Sequence, residues 1–217
     1  MSMVQAPRLL WCMLTLLMAA CQMLRSHRRP IDLEAVCAYT RNKDTRALLQ
    51  AASGHPVDRT VAFAIAYGLY LIEPKEYATF YVASVPVDTR TIGDIYQRYD
   101  LNPNCRREFL GWIDSLGLLA RQGDLEAIRR LVYGTVRSDG VIGEEFCDEL
   151  RGCLDQQMGR TLRVLAQVDK DTRREVRDLL CALYPDEMKA LRLGLEEQMR
   201  REPSVLTVAR ELSSCAE

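Results

Sequence analysis

The chain has 217 residues, of which 27% are charged and 48% are hydrophobic, a globular composition with enough length for one sizeable core or two small ones. Its 29 basic residues nearly balance 30 acidic ones, which argues against a general attraction to nucleic acid or to an anionic membrane surface. Its two histidines, His27 and His55, are too few and too separated for a zinc centre, so we expect no metal and no cofactor.

The first 21 residues differ sharply from the rest of the chain. Arg8 and the amino terminus supply positive charge, an uninterrupted apolar run follows from Leu9 to Cys21, and the first acidic residue is Asp32. A basic start, about a dozen apolar residues and then small residues are typical of a secretory signal peptide. Because a permanent span needs about 20 apolar residues, this run is short for a membrane anchor.

The apolar run ends in the sequence LMAAC at residues 17–21. This ending resembles the lipobox of bacterial lipoproteins, in which small residues precede a cysteine that becomes the lipid-bearing first residue. The resemblance implies a signal peptide over residues 1–20, processing permitted by Ala19 and Ala20, and a lipid attached to the Cys21 thiol. Membrane attachment would then run through this lipid.

Residues 21–30 are predicted to form a short basic tether. Because Gln22 rather than Asp follows the cysteine, the resemblance implies the periplasmic face of the outer membrane within the cell envelope. Two alternatives remain open. One is an uncleaved inner-membrane anchor over Leu9–Leu24 with a cytoplasmic body, because basic residues after the apolar run resist export. The other is an ordinary signal peptide cut near Ala20. The basic residues in question are Arg25, Arg28 and Arg29.

From Asp32 onward the apolar spacing predicts helices. The first runs from Asp32 to Ala52 and is ended by Gly54 and Pro56. The uncharged segment Thr60–Ile72 alternates large residues with Ala or Gly, which also suits a strand. Because strands use little alanine, we predict a buried helix whose small residues let neighbouring helices approach closely.

Start signals mark the next two helices. Pro74 suits a first helical turn, and Phe80 is expected on the buried face of that helix. Asp88 or Thr89 is expected to cap the following helix, with Tyr96 on its apolar stripe. The sequence therefore predicts two further helices between residues 74 and 100.

Helix signals continue to the end of the chain. Asn102-Pro103 opens a helix, Gly123-Asp124 opens another with Leu125 facing inward, Asp139-Gly140 ends it, and Met158-Gly159 ends the next. Apolar stripes then predict four more helices, which contain Leu162, Val176, Met188 and Val205.

The predicted fold is all-α, with residues 31–217 forming a single helical domain. About ten short to medium helices would pack as antiparallel pairs, in one bundle or in a superhelical array. DLEAV at 32–36 nearly repeats DLEAI at 124–128. An acidic cap followed by an apolar face would produce this similarity independently in two helices.

Six cysteines lie in the body. An even set in an exported chain predicts disulfides, and burial as small apolar side chains is the alternative. Cys147 and Cys153 would lie on one helix, separated by about 9 Å of rise, which exceeds the roughly 7 Å that a bridge allows. The sequence does not choose among the other pairings of Cys37, Cys105, Cys147, Cys153, Cys181 and Cys215.

The segment RSDGVIGEEF at 137–146 resembles the middle of a calcium-binding loop. With Gly140 at the sixth position of that loop, Arg137 would stand third and Phe146 twelfth, where oxygen ligands are required. We therefore predict a helix–turn–helix joint, with Glu144 and Glu145 complementing the amino terminus of a helix.

The remaining chemistry-bearing residues suggest ordinary structure. Asp148 and Glu149 crowd the same helix as Glu144 and Glu145, and we expect these four acids to form a solvated face. A cysteine nucleophile would need a base, for which His55 is the one histidine available in the body.

The sequence thus predicts a non-catalytic protein-interaction module in the cell envelope, exported to the periplasm and lipid-anchored, with an unidentified protein partner and no role in nucleic-acid binding. Three alternatives stay open. The first is an immunity protein that neutralises a toxin or enzyme, recognised by one tight partner and a strongly charged concave face. The second is an envelope enzyme with an unrecognised site. The third is a cytoplasmic helical domain on an uncleaved anchor.

Overall fold

The computed structural model describes residues 31–53, 58–100, 102–103, 105–109 and 111–216. Every regular element in these residues is helical, which confirms the all-α prediction. Two short 3₁₀ turns, Pro203–Val205 and Ser214–Ala216, flank the last α-helix. The α-helices in chain order are α1 Leu33–Arg41, α2 Thr45–Ser53, α3 Arg59–Ile72, α4 Pro74–Ser84, α5 Thr89–Asp100, α6 Arg106–Phe109, α7 Trp112–Arg121, α8 Leu125–Arg137, α9 Gly140–Gln156, α10 Met158–Gln167, α11 Lys170–Leu183, α12 Pro185–Arg201 and α13 Leu206–Ser213.

The helix predicted over residues 32–52 is two helices, α1 and α2. The chain turns between them at Lys43, whose φ of 55° lies in the left-handed region. The Asp44 N–H donates to the Tyr39 carbonyl at 2.9 Å, and the Asp44 carboxylate caps α2 by accepting from the Ala47 N–H at 2.9 Å. The prediction of one helix was wrong because lysine, unlike glycine, gives no signal of a left-handed turn.

The turn between α7 and α8 has the same construction. Gly123 takes the left-handed position with φ 96°, and the Asp124 N–H donates to the Leu119 carbonyl at 3.1 Å. The Asp124 carboxylate accepts from the Ala127 N–H at 3.0 Å, as Asp44 does in the first turn. In the structure, Asp124 therefore corresponds to Asp44, because each follows a left-handed residue and caps the next helix. The near-repeat in the sequence pairs Asp124 with Asp32 instead.

Two other helix boundaries differ from the predicted ones. The helix expected to run on from Asn102 is divided into α6 and α7 by Gly111, whose φ of 87° suits glycine. Met158, predicted to end a helix, begins α10 instead, directly after the break at Gln157. The unpredicted breaks at Lys43 and Gly111 raise the number of helices in the described residues above the predicted ten, because the apolar stripes continue across these turns.

Helix α3 lies at the centre of the amino-terminal half and confirms the predicted buried helix. Most of its residues are buried, and it packs against α1, α2 and α4. Gly68 permits the close approach to α1, because a Cβ at this position would collide with the Thr40 hydroxyl oxygen. Close packing of this kind is the role that was predicted for the small residues of the segment.

A cluster of aromatic side chains links α3 to the helices around it. The Tyr81 hydroxyl donates to the Trp112 carbonyl, and the Tyr99 hydroxyl donates to the Thr60 carbonyl at 2.7 Å, so these buried polar atoms are satisfied. Rings 4–7 Å apart interact favourably beyond the area that they bury. The cluster contains Phe63, Tyr67, Tyr70, Tyr81, Tyr99, Phe109, Trp112 and Phe146.

Three large side chains predicted to face inward are instead exposed. Phe80 and Leu125 are each 48% exposed, and Tyr96 is 36% exposed. Phe80 and Tyr96 lie one position from Tyr81 and Ile95, which are fully buried. Successive side chains point about 100° apart around a helix. The apolar stripes predicted for the helices of Phe80 and Tyr96 were therefore one residue wider than the buried faces.

Candidate functional site

The acidic face of α9 is not uniformly solvated, contrary to the prediction. The Glu149 side chain is only 14% exposed, and its carboxylate forms an ion pair with the guanidinium of Arg121 on α7. Glu144 and Glu145 lie in the second turn of α9 rather than the first, because the helix already begins at Gly140. The apolar face of α9 is buried as expected.

Gly117 makes room for the Arg121–Glu149 ion pair. A Cβ on Gly117 of α7 would overlap the Glu149 carboxylate, so that residue can only be glycine while Glu149 keeps its place. A Cβ on Gly152 of α9 would lie 3.4 Å from Arg121 Nη1, an ordinary van der Waals distance, so this position does not require glycine. The facing surfaces of α7 and α9 are therefore shaped around a pair of opposite charges rather than around apolar side chains.

The ion pair lies in a polar cleft of about 380 Å³ between α7 and α9, which we call the acidic groove. Its side chains include five carboxylates and two guanidiniums, so negative charge is in excess by three when all are ionised. A concave surface of this charge attracts cations and repels anions. The groove is lined by Asp114, Arg121, Glu145, Asp148, Glu149, Arg151, Gly152, Asp155 and Gln156.

Tyr184, the residue between α11 and α12, contacts one side of the groove. Its hydroxyl donates a hydrogen bond of 2.7 Å to Asp148, and the Arg151 guanidinium lies 5.5 Å from the centre of its ring. Burial, followed by the hydrogen bond to Asp148, raises the pKa of Tyr184 above its usual value, so the phenol remains a donor at neutral pH. These contacts hold Asp148 and Arg151 in place.

Burial raises the pKa of Glu149 above its usual value, and the nearby charges of Asp114 and Asp148 act in the same direction. Arg121 opposes this shift without cancelling it. The ionised carboxylate therefore remains unfavourable within the free protein, even with its arginine partner. A second cation entering the groove would stabilise the ionised Glu149 carboxylate.

Substitution Glu149→Gln tests this raised pKa. A folded-state pKa above the unfolded value means that the stability contributed by Glu149 is present at low pH and is lost as the pH rises through the folded pKa. We expect the free energy of unfolding of the wild type, minus that of the variant, to fall as the pH rises above about 4, the usual pKa of a glutamate. Urea unfolding at several pH values measures this difference. If this difference in unfolding free energy instead rises with pH, the folded-state pKa of Glu149 is lowered. The ion pair with Arg121 would then outweigh the effect of burial.

Four of the six body cysteines form bridges in the structure. Cys37 of α1 is joined to Cys105, just before α6, and Cys181 of α11 is joined to Cys215 in the last 3₁₀ turn. The Cα atoms of the two pairs are 5.4 and 5.2 Å apart. Each bridge therefore ties a helix to a distant part of the chain.

Cys147 and Cys153 are free thiols on the buried face of α9. Burial raises the pKa of each thiol to about 12. Because the thiolate is the reactive form, neither thiol is a nucleophile at neutral pH. These two cysteines are small apolar side chains of the core, which was the alternative to disulfide formation in the sequence analysis of the six body cysteines.

Residues 138–139 join α8 to α9, which confirms the helix–turn–helix joint, and no group of three or more metal-binding side chains occurs in the described residues. Arg173 of α11 forms an ion pair with Glu211, and Arg177 forms one with Asp178. The lipid and processing residues Cys21, Ala19 and Ala20, and both histidines, His27 and His55, lie outside the described residues.

Sequence reasoning missed the contribution of α7 to the acidic groove. Asp114 and Arg121 were not singled out, because each is an ordinary surface residue in a helical pattern. Gly117 carried a usable signal: a glycine inside a predicted helix is unfavourable and indicates a close approach by another group. Only the fold shows that the approaching group is Glu149.

No helix in the described part of the chain has the length and apolarity needed to cross a bilayer. Comparisons of the chain with protein-family models, with curated proteins and with solved structures found no match. The acidic groove and the disulfides are the features of the described structure that bear on function.

Proposed function

We propose that the protein is an exported, non-catalytic helical module that binds a cationic segment of a partner protein in its acidic groove. The observation that carries this proposal is the partly buried Glu149 carboxylate at the wall of a 380 Å³ cleft with excess negative charge. Charge that is unfavourable in the free protein is expected where it contributes to recognition. A basic partner segment would supply the missing positive charge.

The shape of the groove favours extended basic side chains. Asp148 and Arg151 are held by Tyr184, and Glu149 is held by Arg121, so these side chains are in position before binding. Preorganised side chains lose little conformational entropy on association. Lysine and arginine side chains are long enough to reach into such a cleft while their backbone stays at its rim.

The two disulfides support export. Disulfides form and persist outside the reducing cytoplasm, in the periplasm or at the cell surface. Both bridges close long stretches of chain, with sequence separations of 68 and 34, as is typical of structural bridges. An oxidising compartment outside the cytoplasm is also where the signal peptide expected at residues 1–20 would direct the chain.

The intact mass of the protein purified from membranes tests the export and lipid-anchor proposals together. We expect a chain that begins at Cys21, carries added acyl mass, and gains the mass of four hydrogens on reduction because two bridges open. A chain that still begins at Met1 without acyl mass would contradict both proposals. An unlipidated chain that begins near Cys21 would support the export proposal and contradict the lipid-anchor proposal.

Binding of a hexalysine peptide tests the acidic groove. Isothermal titration calorimetry at physiological ionic strength should detect binding to the wild-type protein, and the triple variant Glu145→Gln, Asp148→Asn, Asp155→Asn should raise the Kd by about tenfold or more, because three charges are removed from one cleft.

The matched control is the triple variant Asp171→Asn, Glu175→Gln, Asp178→Asn on α11. It removes the same charge from another surface of the molecule, where these residues line a shallow mixed-charge groove. The Kd should stay close to the wild-type value. If both triple variants weaken binding equally, the attraction is a general effect of net charge and the proposal for the acidic groove is wrong.

An immunity protein is the second candidate, favoured by the concave shape and strong charge of the acidic groove. Here the partner would be one toxin or enzyme with a basic active surface. A single partner bound at 1:1 stoichiometry with nanomolar affinity would support this candidate. Micromolar binding of several basic partners would instead support a general interaction module.

A further inference from the structure

We draw no further inference here: the strongest candidate outside the acidic groove, the shallow surface groove along α11 lined by Asp171, Arg174, Glu175, Asp178 and Leu179, has side chains of mixed charge, and nothing in the structure shows what covers it.

Discussion

Replacement of both Cys37 and Cys105 with alanine is expected to lower the free energy of unfolding by roughly 4 kcal/mol. The bridge joins residues with a sequence separation of 68, so it restricts the unfolded chain strongly. The measurement is urea unfolding under oxidising conditions, followed by far-ultraviolet circular dichroism. A reductant should also destabilise the wild type, which would lose both bridges.

The double variant Cys147→Ala, Cys153→Ala is the matched control for the bridge. It removes two buried sulfurs that belong to no disulfide, so it reports the effect of the lost side-chain volume alone. The variant without Cys37 and Cys105 should lose clearly more stability than this control. Equal losses, together with no effect of reductant on the wild type, would mean that the bridge does not form in the purified protein.

Phe146→Ala is expected to destabilise the protein by about 3–5 kcal/mol. The Phe146 ring is fully buried and packs edge-on against Trp112, with ring centres 5.5 Å apart. It also lies against Gly134 of α8, where a Cβ would collide with the ring. The loss of this ring leaves a cavity between α7, α8 and α9. Gly134 has no side chain that could move to fill it.

Val141→Ala on the same helix is the control for Phe146→Ala. Val141 is 61% exposed, so its substitution should change stability by no more than about 0.5 kcal/mol. Both variants are compared by thermal and urea unfolding. A Phe146→Ala protein as stable as the Val141→Ala protein would contradict the packing of α9 onto α7 and α8.

Helix starts were predictable where one side chain performs the capping. Asp88 accepts a hydrogen bond from the Thr91 N–H at 2.9 Å, and Asp124 accepts from the N–H groups of Glu126 and Ala127. Each interaction is local, within three residues of the cap, so the sequence contains it in full. The same holds for Pro74, which the structure places in the first turn of α4.

The breaks inside apolar stripes were not predictable in the same way. Lys43 adopts a left-handed conformation because the packing of α1 and α2 onto α3 requires a turn there, and lysine itself gives no preference for it. A residue whose conformation is set by distant contacts carries no local signal. The lengths of the first two helices depend on this tertiary requirement.

The acidic groove was predictable only in part. The acids of α9 were recognised from their spacing, but the burial of Glu149 depends on Gly117 and Arg121, which belong to another helix. A solvated acid and a paired acid have the same sequence pattern. Their difference comes from the packing of α7 against α9, which the pattern of one helix does not contain.

The positions of the two bridges determine how the folded chain would respond to a mechanical pull on its ends. Force applied at Ile31 and at Cys215 would pass across each bridge and bypass the loop that it closes. Besides the few residues before Cys37, the stretch from Cys105 to Cys181, about 75 residues, could then be drawn out, to roughly 250 Å at about 3.4 Å per residue. All nine residues that line the acidic groove lie in that stretch, so tension on the chain would open the groove while both disulfide-closed loops stayed intact.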